Sequence, residues 1–101
     1  MPRRYEILWT GPALTDLRSI RDHVANEGRP EAAKRLAKRI RDAVLRLQDH
    51  PHSGRPVPEF SGAGYREVIV TPYRVVYELS GNKAVVLRVW HGRRDLTRLE
   101  R

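Results

Sequence analysis

The chain has 101 residues, with 20 lysines and arginines against 12 aspartates and glutamates, and its formal net charge is +8. This length allows one domain, predicted to span residues 1–101, with a single hydrophobic core. The charge favours a polyanionic partner: RNA, DNA or an acidic protein segment. The absence of cysteine excludes disulfides, thiolate nucleophiles and cysteine zinc sites. No apolar run reaches membrane-spanning length and the first residues lack a secretory pattern, so we expect a cytoplasmic protein with no membrane partner.

The first third of the chain predicts a strand followed by a helix. Residues 5–10 alternate apolar and polar side chains, as a short strand does. A helix can start here, because Thr10 or Gly11 can cap the first turn and proline, here Pro12, is tolerated in it. Apolar residues then recur at helical spacing up to a Gly/Pro break at residues 28–30; they are Leu14, Leu17, Ile20 and Val24.

A second amphipathic helix is predicted after Pro30 and ends near Asp49. Lysines and arginines cover most of its surface, and we interpret that basic face as solvent-exposed, with nucleic-acid contact as the alternative. Two amphipathic helices joined by a short turn form an antiparallel hairpin. The apolar stripe that would face the core consists of Ala33, Leu36, Ala37, Ile40, Ala43, Val44 and Leu47.

The last third predicts an irregular loop, residues 50–64, and then three strands. Gly81 and Asn82 favour a two-residue hairpin turn between the second and third of these strands. Between the first and second, Thr71-Pro72 predicts a bulge or a longer loop, because proline does not suit a type I′ turn. The predicted fold class is α+β: an N-terminal strand and an antiparallel helical hairpin packed on a mainly antiparallel, curved β-sheet.

The hairpin turn also predicts a strand register. Counting outward from it places Tyr73 opposite Trp90 and Arg74 opposite Val89. Arg74 and His91 then become diagonal neighbours on the face turned away from the helices, roughly 7–8 Å apart. A guanidinium and an imidazole at that spacing can both touch one bound phosphate.

Five segments in a fixed order carry a family resemblance. They are YEILWTGPALTDLRSI from residue 5, the loop Pro51–Pro58, Tyr65-Arg66-Glu67, the strand Tyr73–Tyr77, and His91-Gly92-Arg93-Arg94. Together they resemble the RelE/ParE superfamily of toxins from type II toxin–antitoxin modules. The resemblance covers nearly the whole chain. It implies an acidic, partly disordered antitoxin that folds on binding, and contact with operator DNA only through that antitoxin.

The resemblance implies two different activities. Members similar to RelE cut mRNA in the ribosomal A site, whereas members similar to ParE poison DNA gyrase without cutting RNA. The RelE-like pattern implies three catalytic residues: Arg74 would hold the scissile phosphate, His91 would act as acid or base, and Arg94 would supply a second cation. The cations predicted to bind substrate are Arg55, Arg66 and Arg93.

This chain departs from the RelE-like pattern at two positions. Val68 stands where that pattern has a lysine, and Val57 where the histidine-containing subgroup keeps a glutamate. The general base is therefore left open between Glu59, Glu67 and none, with Glu67 interpreted as an ordinary charge on the strand surface.

The cations and one imidazole favour a ribosome-dependent mRNA endonuclease that inhibits translation and needs neither metal nor cofactor. His50 and His52 form only a weak metal motif, interpreted as loop histidines. The alternative is a ParE-like inhibitor of DNA gyrase without catalysis, since a shared fold does not fix activity.

Overall fold

The computed structural model describes residues 4–60 and 62–92. Five strands form one sheet in the order β1-β5-β4-β3-β2, in which β1 runs parallel to β5 and the other pairs are antiparallel. Short 3-10 turns follow α2 and β2, and two helices pack on the sheet, which confirms the predicted α+β class. The elements are β1 (Glu6–Trp9), α1 (Gly11–Asn26), α2 (Pro30–Leu45), β2 (Arg55–Pro56), β3 (Tyr65–Val70), β4 (Tyr73–Ser80) and β5 (Lys83–His91).

The helical hairpin begins and turns where the sequence predicts. The Thr10 hydroxyl accepts a hydrogen bond from the Ala13 amide at 3.1 Å and donates one to the Leu87 carbonyl at 3.0 Å, so it caps α1 and ties it to β5. Gly28, at φ +78°, makes the turn into α2. In the described residues, neither helix combines the length and apolar character that crossing a bilayer requires.

The sheet has a hydrophobic cluster on each face. On the first, the stripe of α2 packs against β3, β4 and β5 around Ile40, Val75 and Val86. The second face, turned away from the helices, is covered by the segment that follows β2. There the buried residues are Val57, Val76, Leu87 and Trp90, with Phe60 and Tyr65 packed against them.

Asp16 joins α1 to β5 near Arg88 and Val89. Its carboxylate accepts hydrogen bonds from Arg88 Nε at 2.7 Å, Arg88 Nη2 at 2.9 Å and the Val89 amide at 2.9 Å. This pairing raises the pKa of Arg88, chiefly through the hydrogen bond to Asp16. Arg88 also lies 4.5 Å from the ring centroid of Trp90. The cation that interrupts the apolar pattern of β5 therefore has a structural partner.

The predicted hairpin register holds only near its turn. Ser80 pairs with Lys83, and the predicted register holds as far as the pair of Tyr77 with Val86. A bulge in β5 between Val86 and Arg88 then shifts every later pair by one residue. The predicted pairs Tyr73 with Trp90 and Arg74 with Val89 are therefore wrong: Tyr73 pairs with His91, and Arg74 with Trp90.

Because side chains alternate between faces, the same shift moves His91 to the face of Tyr73, opposite that of Arg74. The rings of Tyr73 and His91 meet edge to face, with centroids 5.7 Å apart.

The connection between β3 and β4 is shorter than predicted. Val70 pairs with Tyr73 directly across Thr71-Pro72, whose peptide bond is cis, and the pairing continues without a shift to Tyr65 and Glu78. A two-residue turn with a cis proline therefore replaces the expected bulge or longer loop.

Candidate functional site

Arg74, the predicted phosphate-binding residue, lies at the centre of an ionic network. Its Nε donates to Oε1 of Glu67 at 2.6 Å, and its two terminal nitrogens donate to the two carboxylate oxygens of Glu59 at 2.8 Å each. The Arg74 side chain is only 9% exposed. All three guanidinium nitrogens are thus engaged by carboxylates of the protein itself.

Glu67 is the buried half of this network. Its side chain is fully buried, and while Oε1 accepts from Arg74, Oε2 accepts from Nε of Arg55 at 2.7 Å. The interpretation of Glu67 as a surface charge is therefore wrong. Arg55 lies on β2 directly opposite Glu67, with its side chain 61% exposed. Glu67 bridges two arginines and joins β2 to β4.

The network is electrically balanced, since two arginines face two glutamates. The hydrogen bond to Glu59 raises the pKa of Arg74, and the same bond lowers the pKa of Glu59 to about 2. A cavity of about 440 Å³ opens beside the pair, lined in part by Arg55, Ile69 and Gly92. Arg74 and Glu59 both line this cavity, so a phosphate entering it would meet the Glu59 carboxylate beside the guanidinium.

Replacing Glu59 with glutamine is expected to lower the free energy of unfolding by on the order of 1 kcal/mol at pH 7, since the Glu59 side chain is one-third exposed. Because its pKa is depressed in the folded state, the carboxylate stabilises the fold fully above its ordinary value of 4.5. That contribution is lost as the pH falls towards about 2. Urea unfolding of both proteins between pH 7 and pH 3 should show the difference shrinking below pH 4.5; a constant difference would contradict it.

Arg66 lies apart from Arg74. It pairs with Tyr77 on β4, so its side chain lies on the face of the sheet opposite that of Arg74. Its Nη1 donates hydrogen bonds to the carbonyls of Gly54 at 2.8 Å and His52 at 3.4 Å. The Tyr77 hydroxyl holds the same loop, because it donates to the Pro51 carbonyl at 2.7 Å and accepts from the Gly54 amide at 2.9 Å. Arg66 supports the loop that carries Arg55.

His91 is also separated from Arg74. It lies on the helix-facing side and lines a different cavity, together with His23, Arg29 and Tyr73. The prediction that Arg74 and His91 share one face and meet one phosphate is therefore wrong.

Two further predicted site residues have no structural outcome. Arg93, predicted to bind substrate, and Arg94, predicted to act in catalysis, lie outside the described residues.

Across residues 4–60 and 62–92, no three histidine or acidic side chains gather as they would around a metal ion.

Comparison with known proteins gives a consistent set of relatives. A family model described as the ParE toxin of type II toxin–antitoxin systems, parDE, matches residues 7–96. Toxin RelE2 of Caulobacter vibrioides is 34% identical over 90 residues, which are 88% of this chain and 97% of that protein. Toxin ParE3 of the same bacterium is 35% identical over 91 residues, 89% of each. A chain of the chromosomal ParDE TA system from P. aeruginosa matches with a TM-score of 0.75 and 26% identity, covering 87% of this chain and 96% of that one.

Proposed function

This chain belongs to the ParE toxin family of type II toxin–antitoxin systems, and we propose that it acts by binding DNA gyrase rather than by cutting mRNA. The similarity to both a protein named RelE2 and one named ParE3 leaves two modes of action for the toxin. The arrangement of its charged side chains favours the ParE-like mode.

The observation that carries this proposal is the two-point contact between Arg74 and Glu59, with both N–O distances 2.8 Å. Metal-free RNA cleavage needs an acid, a base and unneutralised cations around one phosphate. Arg74 is already neutralised by two carboxylates, Arg66 donates to backbone carbonyls, and His91 lies across the sheet. Among the described residues, the groups that such a reaction needs are not gathered around Arg74.

A ribosome-dependent mRNA endonuclease is the second candidate, because the chain is 34% identical to a protein named Toxin RelE2 over nearly its whole length. Under that function, Glu59 would have to leave Arg74 when RNA binds. Arg74 and His91 would then act on different parts of the substrate.

The protein that binds this toxin is an acidic antitoxin. The net charge of +8 favours a partner of opposite charge. A similar solved chain comes from a chromosomal ParDE TA system, and we extend that pairing to this protein. An antitoxin segment that folds on binding would neutralise the basic surface and withhold the toxin from its target.

A supercoiling assay with purified gyrase tests the proposal. Free toxin should reduce the conversion of relaxed plasmid to the supercoiled form, and it should increase the linear DNA released when protein is digested. Toxin mixed beforehand with its antitoxin is the matched control and should leave gyrase active. Unchanged gyrase activity at an excess of folded toxin would overturn the proposal.

A further inference from the structure

A second cavity, of about 500 Å³, lies on the helix side of the sheet. It opens between the end of the helical hairpin at which α1 turns into α2 and the turn that joins β3 to β4. Its apolar lining comes from Val24, Ala32, Leu36 and Pro72, and the ring of Tyr73 forms an aromatic wall against His91. A planar, partly apolar group can therefore lie in this cleft.

Cations surround the cleft. Arg29, Arg35 and Arg39 line it, all three are exposed, and none of them forms an ion pair with another described residue. Arg35 and Arg39 are four residues apart on α2, so they lie on the same side of that helix about 6 Å apart along its axis. Glu27 is the acidic residue that lines the cleft, and its Oε1 lies 3.8 Å from Nε2 of His23. These arginines contrast with Arg74, whose charge is already balanced.

We propose that this cleft binds a single-stranded segment of nucleic acid. Guanidinium groups pair with phosphates, and an aromatic wall beside an apolar floor receives an unpaired base, which is the combination that single-strand binders use. A duplex fits poorly, because its bases are stacked and paired away from the floor. The inference goes beyond gyrase binding and does not depend on it, because it concerns a different face of the molecule from Arg74.

Fluorescence anisotropy with labelled oligothymidylate and oligouridylate, titrated with the free toxin at several salt concentrations, tests this inference. Both oligonucleotides should bind, since stacking and phosphate contacts need no 2′-hydroxyl, and a duplex of equal length should bind more weakly. The variant Arg29→Gln/Arg35→Gln/Arg39→Gln should bind at least about tenfold more weakly. Its slope of log affinity against log salt should fall by about 2, because each lost contact with a single strand removes about 0.7.

The matched control is Arg18→Gln/Arg41→Gln/Lys83→Gln, which removes the same charge from exposed positions that do not line the cleft. Arg41 lies on the side of α2 away from Arg39, two positions along the helix. The control should keep the wild-type slope. Equal losses in the two variants would contradict the inference, as would equal binding of the duplex or of a polyglutamate peptide. Neither result would bear on the gyrase assay, so the two proposals fail separately.

Discussion

Replacing Glu67 with alanine is expected to lower the free energy of unfolding by about 3 kcal/mol, because the buried Nε of Arg74 loses its acceptor while Glu59 still pairs with the two terminal nitrogens. It also removes the acceptor that holds Arg55 on β2. Urea unfolding followed by circular dichroism measures the loss. Glu6→Ala, which removes an exposed glutamate from β1, is the matched control and should change stability by no more than about 0.5 kcal/mol.

The double variant Glu67→Leu/Arg74→Met tests whether the stability lost in Glu67→Ala comes from the charge that remains on Arg74. Replacing both buried charges with apolar side chains of similar size removes the guanidinium whose Nε has no acceptor in Glu67→Ala, so the double variant should be more stable than Glu67→Ala. If the double variant were as unstable as Glu67→Ala, the loss would come from something other than an uncompensated charge.

Replacing Gly54 with alanine is expected to lower the free energy of unfolding by about 3 kcal/mol or more, the upper end of the usual cost of overpacking. The structure has no space for a side chain at this position. An added Cβ would lie 2.5 Å from the Tyr77 hydroxyl oxygen and 2.9 Å from the Glu67 carbonyl oxygen. It would push apart the loop and strand that Tyr77 and Arg66 join.

Thermal unfolding measures the effect of this change, and Gly11→Ala is its control, because an added Cβ there has no neighbour within 4 Å. Gly11→Ala should unfold close to the wild-type temperature. A Gly54→Ala protein as stable as that control would show that the loop is not packed as described.

The sequence predicted the elements whose patterns are local. The stripe of α2, the threonine cap of α1 and the turn at Gly81 each follow from spacing over a few residues, and all three are confirmed. The bulge in β5 has no signal in the local spacing; it lies next to Arg88, whose partner Asp16 is far away in the sequence. One extra residue was enough to exchange the faces of Trp90 and His91.

The role of Glu67 was within reach of the sequence. A two-residue turn at Thr71-Pro72 places Glu67 opposite Val76 and therefore diagonal to Arg74 on the same face. Because a bulge or a longer loop was expected at that turn, Glu67 could not be placed beside Arg74 from the sequence. The contact of Glu59 with Arg74 had no comparable signal, because Glu59 comes from a short 3-10 turn whose position depends on the packing of Val57 and Phe60.

Four of the six residues named from the RelE-like pattern, Arg55, Arg66, Arg74 and His91, lie in the described part of the chain, and they are not gathered around one phosphate. Arg74 holds the loop after β2 to the sheet, Arg66 holds the loop before it, and His91 lies beside the helical hairpin. A family resemblance in residue type need not imply the same chemistry.

The most direct test of the claim that this toxin does not cut RNA is to map mRNA 5′ ends in a translating extract that contains purified toxin. At toxin concentrations that inhibit gyrase, we expect the mRNA to remain intact, with the same ends as in an extract without toxin. New ends at ribosomal A sites that disappear with folded His91→Ala toxin would contradict the account and establish the endonuclease.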